Sequence, residues 1–402
     1  MAAPMQPLPI ADTGSPALAG RTNLKDLSRE ELRRFVGTLG EPPYRGDQIF
    51  QWIYRRGAKG FAAMTDLSKA FRERLAAVAT LAGPTVAAAP RSADGTRKLL
   101  LRLEDGEAIE AVLIPDEDRT TVCLSTQVGC PLACRFCATG DLGLKRDLAP
   151  HEIVDQFLIA QEVAGGRLDP AAPVEPQGEN EGGRRSGGPP SRPERDRERR
   201  VTNVVLMGMG EPLLNYDATL KAVKVLTDPK GVGLGPKRIT LSTVGILPKM
   251  IPFIEATGVH LAVSIHAPTD ELRKELMPID RKYPLDLVLE TLRANRDKLD
   301  DRVFFEYVLL EGVNDDPEHA RLLAEKIRGI PAKVNLLAFN PHEGSPFRRP
   351  SDERVERFKQ ELRDRGVDAY IRKSRGRDIA AACGQLALLE SEGATVKGAA
   401  GA

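Results

Sequence analysis

Two hydrophobic periodicities divide the chain at about residue 120. Between residues 21 and 85, apolar side chains recur at helical spacing, and Ser28 with Glu31 has the pattern of a helix capping box. Two apolar runs then flank the Asp-Gly pair at positions 105–106, which is typical of a β-hairpin. This part of the chain therefore predicts a small helical domain followed by a hairpin.

From residue 120 onward, strand-like runs alternate with helical runs. The strand-like runs span 121–126, 204–207, 238–242, 260–265, 303–309 and 334–338, and the helical runs span 151–164, 217–227, 247–257, 285–298, 317–328 and 351–365. Such alternation predicts an α/β fold with a parallel sheet and right-handed crossovers. The six repeats fall short of the eight in a complete barrel, and periodicity alone leaves open a doubly wound sheet or a full or partial β/α barrel.

Composition predicts where the ordered domains begin and end. The two ends of the chain, and one stretch rich in Gly, Pro, Arg and Glu, lack the apolar residues that a packed core needs, so we expect disorder there. The predicted domains are a disordered leader at 1–20, a helical accessory domain at 21–90, a β-hairpin extension at 91–119, a core at 120–390 with a disordered insertion at 165–200, and a disordered tail at 391–402.

Charge and hydropathy narrow the class of protein. Lys and Arg together number 58 against 57 Asp and Glu, for a net charge of +1, so any surface that binds nucleic acid must be local. No stretch approaches the roughly 18–20 apolar residues that cross a bilayer, and the first twenty residues lack the pattern of a signal peptide. We therefore expect a cytoplasmic protein with no membrane partner.

Four of the five cysteines lie between Cys123 and Cys137, which is unlike a secreted disulfide scaffold and favours a metal or redox site. Cys130, Cys134 and Cys137 have the spacing C-x3-C-x2-C. Three thiolates are one short of the four that fully ligate a [4Fe–4S] cluster, so one iron would be left open. The alternative is a zinc site with Cys123 as the fourth ligand, although this spacing differs from the paired C-x2-C knuckles of structural zinc.

Glycine and polar residues follow several predicted strands, at the edge where parallel α/β folds bind ligands. They are Gly210 and Glu211 after the second strand, Ser242 at the end of the third, the segment Ser264, Ile265 and His266 at the end of the fourth, and Asn340 after the sixth. Their recurrence predicts one shared pocket at this edge. His266 by itself is more typical of a structural histidine than of a ligand.

The cysteine spacing, with the aromatic Phe136 before the last cysteine, resembles the signature of the radical S-adenosylmethionine (SAM) superfamily. A wider set of segments resembles the RlmN/Cfr group within it: Glu110, 114–115, 123–130, 209–212, 264–267, 339–341 and 382–386. The resemblance covers residues 21 to 390. It implies a radical SAM partial (β/α)6 barrel with a small helical N-terminal accessory domain that binds RNA.

The resemblance also implies the cofactors and their ligands. One [4Fe–4S] cluster on Cys130, Cys134 and Cys137 would bind SAM on its open iron, and its reduction would cleave SAM to a 5′-deoxyadenosyl radical. Two SAM molecules would be used per turnover. Seven residues are implied in SAM binding: Gly210, Glu211, Ser242, Ser264, Ile265, His266 and Asn340.

Three residues outside the cluster motif receive roles from the same resemblance. Cys383 would be methylated first, and the radical would then take a hydrogen atom from its S-methyl group so that the methylene adds to adenine C2. Glu110 would remove the C2 proton, and the Cys123 thiolate would attack the Cys383 sulfur, leaving a disulfide. From the residues alone, Cys383 is equally typical of helix packing, and Glu110 of an exposed strand carboxylate.

The implied partner is RNA. The resemblance predicts methylation at C2 of adenosine 2503 in the peptidyl-transferase centre of 23S rRNA and of the adenosine 3′ of the anticodon in tRNAs. It also implies an external one-electron reductant resembling flavodoxin and a monomeric enzyme. Four cations at 372–377, upstream of Cys383, suit contact with RNA phosphates. Two alternatives remain: C8 methylation of the same rRNA adenosine, and a non-catalytic zinc-containing RNA-binding protein.

Overall fold

The computed structural model describes residues 20–168, 200–299 and 302–387. The segments predicted to be disordered lie wholly or mostly outside the described residues: the leader up to residue 19, the insertion at 169–199 and the tail at 391–402. Their boundaries stay predictions.

Three short helices build the N-terminal part of the molecule. They are α1 (Arg29–Thr38), α2 (Tyr44–Tyr54) and α3 (Lys69–Val78). The predicted capping box is confirmed at α1, where Ser28 Oγ accepts a hydrogen bond from Glu31 N at 3.2 Å and Glu31 Oε2 accepts one from Ser28 N at 2.6 Å. Strand β1 (Thr22–Asn23) pairs in parallel with β2 (Ala79–Thr80), which joins the two ends of this helical unit.

One large sheet organises the rest of the chain. The remaining strands are β3 (Thr85–Ala88), β4 (Arg97–Arg102), β5 (Ala108–Pro115), β6 (Thr120–Cys123), β7 (Gln127–Gly129), β8 (Leu144–Asp147), β9 (Asn203–Leu206), β10 (Ile239–Thr243), β11 (His260–Ser264), β12 (Val303–Leu309), β13 (Ala332–Ala338) and β14 (Asp368–Ile371). Ten of them follow the spatial order β14-β13-β12-β11-β10-β9-β6-β5-β4-β3, while β7 and β8 form a separate antiparallel hairpin.

The sheet combines a parallel part with an antiparallel extension. Neighbours from β6 to β14 are parallel, whereas β3, β4, β5 and β6 pair antiparallel in turn. Among the described strands, β3 and β14 are the two ends of the sheet and do not pair with each other, so the sheet is an open partial barrel. The predicted α/β fold with a parallel sheet is confirmed. The sheet begins at β3, before the predicted accessory-domain boundary at residue 90.

Helices follow the strands of the parallel part. They are α4 (Ala138–Asp141), α5 (Pro150–Ala164), α6 (Tyr216–Thr227), α7 (Leu247–Thr257), α8 (Asp270–Leu276), α9 (Leu285–Ala294), α10 (Pro317–Lys326) and α11 (Asp352–Asp364). None of the helices in the three described stretches is long and apolar enough to cross a membrane.

The predicted βα repeat is confirmed in all six strands and six helices, with ends shifted by a few residues. The seventh parallel strand, β14, was missed because it lies at the sheet edge and buries only Ala369 fully. The hairpin of β7 and β8 was missed because strands of three and four residues hold too few positions for alternation to show. The predicted first strand therefore ends early, at Cys123.

The N-terminal helical unit packs on the core through ionisable pairs at helix α5. Lys25 Nζ lies 2.5 Å from Asp155 Oδ2, and the Tyr54 hydroxyl donates to Lys25 O at 2.9 Å. His151 Nδ1 lies 2.8 Å from Asp26 Oδ1. Burial raises the pKa of Asp155, although Lys25 opposes that effect. The Lys25–Asp155 pair is therefore part of a buried interface between the two units.

Candidate active site

Three of the five cysteines lie on one tight loop between β7 and α4. Gly129 takes φ +79°, and a Cβ there would lie 1.8 Å from Gly143 O, so only glycine lets the loop approach the next turn this closely. Cys130 N donates to Gly143 O at 2.8 Å, and Cys137 N donates to Cys134 O at 3.0 Å. Backbone hydrogen bonds thus hold the three motif cysteines within one compact loop.

The three thiols are partly shielded from solvent. Burial raises the pKa of Cys130 to about 12 and raises those of Cys134 and Cys137, and neighbouring thiols add to the effect at Cys134. Three thiolates in such surroundings need positive charge beside them to be stable. The irons of a [4Fe–4S] cluster supply that charge, and three sulfur ligands leave one iron for SAM, so the donor set fits this cofactor.

Cys123 lies apart from the motif cysteines. It ends β6, and the ionisable groups that act on it are Cys383 and Arg372. Ligation of one zinc ion requires sulfurs about 4 Å from one another, because Zn–S bonds are about 2.3 Å long. Across the residues that the structure describes, no group of three or more His, Cys, Asp or Glu side chains, the motif cysteines included, forms a site for a single metal ion. The thiolates of a four-iron cluster each bind a different iron, so they do not need to converge on one ion. The zinc alternative receives no support from this arrangement.

Gly210 and Glu211 form the turn after β9. Gly210 takes φ +98°, and a Cβ there would lie 2.6 Å from the Gln127 side chain. The Glu211 carboxylate accepts hydrogen bonds from Leu213 N at 3.0 Å and Val244 N at 2.9 Å. Burial raises the pKa of Glu211 to about 7, although these hydrogen bonds oppose the shift. Glu211 therefore joins the ends of β9 and β10 and can accept a further proton or hydrogen bond near neutral pH.

Ser242 and the segment 264–266 occupy the ends of the next two strands. Ser242 is half-buried in β10, and Ser264 closes β11. His266 takes φ +54°, and its Nδ1 accepts a hydrogen bond from Val308 N at 2.9 Å. Burial lowers the pKa of His266 to about 3, so the ring is neutral with its proton on Nε2. The Phe136 ring of the cysteine loop packs edge-on against His266 at 4.8 Å between centroids, which joins that loop to the strand ends.

Arg273 of α8 organises this pocket, and sequence reasoning missed it. The side chain is fully buried and donates to Val244 O at 2.7 Å, Ser264 O at 3.1 Å and Ile265 O at 3.2 Å. It also pairs with Asp280 at 2.7 Å. Arginine is common on helix surfaces, so nothing in its local sequence signalled a core position. Its backbone contacts set the positions of the predicted SAM-binding segment.

Two buried amide oxygens near the pocket, Asn340 Oδ1 and Gln385 Oε1, have no hydrogen-bond partner within the described segments. Asn340 Nδ2 donates to Cys383 O at 3.3 Å, and Gln385 Nε2 donates to Pro341 O at 2.8 Å. Buried amides are almost always satisfied in folded proteins. The two free acceptors therefore suit a bound ligand with N–H or O–H donors, as SAM has.

Residues 376–387, called the C-terminal segment below, carry Cys383 and lie against the cysteine loop. Ala138 N, directly after the motif, donates to Gly384 O at 2.9 Å, and Thr139 Oγ1 donates to Leu386 O at 2.7 Å. The structure thereby brings a residue from the far end of the chain to the cluster site.

Cys383 is exposed, whereas Cys123 is buried. Burial raises the pKa of Cys123 to about 12, and Cys383 adds to the effect. Desolvation by surrounding groups raises the pKa of Cys383 to about 11, and Arg372 opposes the shift at both thiols. The charge of Cys383 acts on Cys123, and that of Arg372 acts on both thiols, so the three groups lie near one another.

Arg372 belongs to the basic run at 372–377, which is predicted to suit contact with RNA phosphates. Its Nη1 lies 3.4 Å from Glu306 Oε2 on β12, which directs it towards the cysteines. Arg375 lies 3.3 Å from Asp116. The other two cations of the run are exposed. At least Arg372 of this run therefore interacts with groups inside the site.

Glu110 lies on β5, in the antiparallel extension, and is almost wholly buried. Its carboxylate lies 2.8 Å from Lys98 Nζ and accepts a hydrogen bond from Ala387 N at 3.1 Å. The Ser125 hydroxyl donates to Glu110 O at 2.6 Å, which links β5 to the chain just before the cysteine loop. The structure therefore brings Glu110 to the same site as the C-terminal segment, although it lies outside the βα repeat.

Comparisons with known proteins agree with this geometry. Residues 22–81 match the ribosomal RNA large subunit methyltransferase N-terminal domain, and residues 193–324 match the radical SAM superfamily. A protein from Syntrophobacter fumaroxidans, named dual-specificity RNA methyltransferase RlmN, is 42% identical over 363 residues, 90% of this chain and 97% of that protein. A protein of the same name from Paracoccus denitrificans is 46% identical over 376 residues, 92% and 90% of the two chains.

A solved structure extends the similarity to the fold. The crystal structure of a radical SAM methyltransferase from Sphaerobacter thermophilus matches with a TM-score of 0.78 and 42% identity, covering 91% of this chain and 99% of that chain. Sequence and fold thus agree along nearly the whole molecule, and the protein belongs to the RlmN family of radical SAM RNA methyltransferases.

Proposed function

We propose that the protein methylates C2 of an adenine in 23S rRNA, and also in tRNA, with a methyl group carried on Cys383. Its relatives are named dual-specificity RNA methyltransferases, and the superfamily uses SAM with a [4Fe–4S] cluster. Adenine C2 has no lone pair with which to attack the methyl group of SAM directly. Transfer through a methylated cysteine and a carbon radical does not require a lone pair on C2.

The observation that carries this proposal is the position of Cys383. The C-terminal segment contacts the turn directly after Cys137, and Cys383 is exposed and lies near the buried Cys123. A methyl carrier needs access to SAM, to RNA and to a resolving thiol. This position supports all three contacts.

The chain's own residues divide the remaining work. When bound, the cluster supplies the electron that cleaves SAM and so generates the radical. Glu211, the backbone of Ser264 and Ile265, and the free acceptor of Asn340 would hold SAM at the strand ends. Arg372 lies where it stabilises a thiolate on Cys383 or Cys123.

Release of the product follows from the two outlying cysteines. As Glu110 takes the C2 proton, the unpaired electron left by radical addition would pass to a one-electron acceptor, for which the oxidised cluster is available when bound. The Cys123 thiolate then attacks the Cys383 sulfur, so that an S–S bond forms and the S–CH2 bond breaks. The electron pair of that bond stays with the carbon, which takes a proton and becomes the methyl group. The disulfide takes up two electrons and two protons before the next turnover. The external one-electron reductant, which we propose to resemble flavodoxin, reduces the cluster.

Two variants test the carrier and the resolving thiol. Cys383→Ala is expected to abolish RNA methylation and to keep its iron, because Cys383 lies outside the cluster motif. Cys123→Ala is expected to keep its iron and to accumulate protein covalently joined to RNA. Mass spectrometry of digested RNA distinguishes 2-methyladenosine from 8-methyladenosine. Methylated adenosine from Cys383→Ala, or loss of iron from Cys123→Ala, would overturn the assignment.

A further inference from the structure

A buried lysine that the sequence did not single out pairs with Glu110. Lys98 Nζ lies 2.8 Å from Glu110 Oε1, and the two residues are only 6% and 1% exposed. Lys98 on β4 and Cys123 on β6 both lie opposite Val112 of β5. Glu110 lies two residues before Val112 on the same strand. Because side chains alternate along a strand, Lys98, Glu110 and Cys123 share one face of the sheet.

The Lys98–Glu110 pair also contacts the C-terminal segment on both sides of Cys383. Lys98 Nζ donates to Ala380 O at 3.5 Å, and Ala387 N donates to Glu110 Oε2 at 3.1 Å. One carboxylate oxygen therefore faces the ammonium group, and the other faces a backbone N–H of the segment that carries Cys383. The pair links the residue proposed as base to the residue proposed as carrier.

Charge balance explains why the lysine matters. A carboxylate removed from water is stable in its ionised form only with a compensating charge or hydrogen bonds. Lys98 is the cation that contacts the Glu110 carboxylate. The carboxylate oxygen that faces Lys98 cannot readily take a proton, so the acceptor must be Oε2. In this structure Oε2 is occupied by Ala387 N.

We propose that Lys98 is the positioning residue that holds the Glu110 carboxylate in place through their buried ion pair, and that Ala387 N leaves Glu110 Oε2 when the C-terminal segment shifts to present Cys383 to RNA. This inference rests on the proposed function. In the step itself, the C2–H bond of the adduct breaks, its electron pair stays in the purine ring, and the proton moves to Glu110 Oε2. The unpaired electron that radical addition left on the ring passes to a one-electron acceptor, which the oxidised cluster of the loaded enzyme would supply. Lys98 itself exchanges no proton or electron in this step.

The experiment compares six forms of the cluster-loaded enzyme with SAM, a chemical one-electron reductant and a tRNA transcript. They are the wild type, Glu110→Gln, Lys98→Met, Lys98→Gln, Lys98→Arg and a control, Lys145→Met. Iron content and methylated Cys383 report on folding and on the first methyl transfer. Covalent protein–RNA adduct, seen on a denaturing gel, and 2-methyladenosine report on the later steps.

Lys98→Met and Lys98→Gln are expected to keep iron and methylated Cys383, to accumulate the adduct, and to form product about 100-fold more slowly, as is typical when a general base is lost. Lys98→Arg is expected to restore most of the product, because it restores the charge beside Glu110. The control is Lys145→Met, which removes an exposed pair with Glu107 and is expected to match the wild type.

Two results would overturn the inference. The first is product formation at the wild-type rate by Lys98→Met or Lys98→Gln. The second is loss of both iron and methylated Cys383 in these two variants, because that would show that Lys98 has only a structural role. The Glu110→Gln form separates this inference from the proposed function. If Glu110→Gln accumulates no adduct, the assignment of Glu110 as the base fails. If Glu110→Gln accumulates the adduct and Lys98→Met does not, only the role of Lys98 is overturned.

Discussion

At the scale of single residues, Arg273 shows how one side chain organises a pocket built from several strand ends. Its planar guanidinium presents five N–H donors in a fixed fork, whereas a lysine presents three donors from one point. The guanidinium is fully buried, and its partners are the carbonyls of Val244, Ser264, Ile265 and Tyr283 and the Asp280 carboxylate. Loss of the guanidinium would therefore leave a buried charge and several carbonyls without a partner.

Arg273→Met is expected to lower the free energy of unfolding by about 3–5 kcal/mol, the usual cost of breaking a buried ion pair. It is also expected to weaken SAM binding, because the strand-end backbone is no longer held. Arg273→Lys, which keeps the positive charge but not the planar guanidinium, is expected to lose less stability and less SAM affinity than Arg273→Met. Urea unfolding of cluster-free protein measures the first effect, and equilibrium dialysis of labelled SAM with cluster-loaded protein measures the second. Wild-type stability of Arg273→Met would contradict this role.

At the scale of elements, the turn between β3 and β4 holds the start of the C-terminal segment. Asp94 Oδ2 accepts a hydrogen bond from Gly376 N at 3.0 Å, and Asp378 Oδ1 accepts one from Ser92 Oγ at 2.6 Å. Burial opposes the effect, but hydrogen bonds from Thr96 and Gly376 lower the pKa of Asp94 from 3.8 to about 2. A lowered carboxyl pKa contributes stability above pH 3.8, and this contribution is lost as the pH falls towards 2.

Asp94→Ala is expected to speed hydrogen exchange in residues 376–387 by roughly tenfold, because the lost hydrogen bonds are worth about 1–2 kcal/mol. RNA methylation should slow as well, since Cys383 is then held less firmly. Hydrogen exchange followed by mass spectrometry at neutral pH measures the effect. The matched control is Asp116→Ala, which removes a surface contact with Arg375, the residue directly before the segment, and is expected to change exchange little. Equal exchange in the two variants would show that the turn does not hold the segment.

At the scale of the whole molecule, ion pairs of very different burial join the N-terminal helical unit to the core. The Lys25 and Asp155 side chains are 10% and 5% exposed. Lys59 and Glu162 also pair across the interface, at 2.9 Å, but their side chains are 67% and 22% exposed. Exposed pairs contribute little, whereas breaking a buried pair leaves an uncompensated charge. The interface therefore depends on Lys25 far more than on Lys59.

Lys25→Met is expected to destabilise the protein by about 3–5 kcal/mol, because Asp155 is left charged in a buried interface. Lys59→Met is expected to cost at most about 0.5 kcal/mol. Urea unfolding, with limited proteolysis to detect release of the helical unit, compares the two variants. Similar losses in both would mean that burial of the pair does not determine its contribution.

Local patterns predicted the elements well where they were long and half-buried. The capping box at Ser28 and Glu31, the hairpin around positions 105–106 and the six βα repeats are all present in the structure. The edge strand β14 and the short hairpin of β7 and β8 were missed, because short or barely buried strands leave too weak a pattern of apolar residues. The domain boundaries remain predictions.

The sequence by itself determined the cysteine spacing, the βα order and, through their resemblance to a known group, the radical SAM reaction class, because each of these is a matter of neighbouring positions in the chain. Only the tertiary structure decided which distant side chains meet. It put Cys383 beside Cys123, turned Arg372 inward to Glu306, buried Arg273 under the strand ends and paired Lys98 with Glu110. Strand pairing and burial set these contacts, and in one sequence a buried Lys or Arg has the same local pattern as one on the surface.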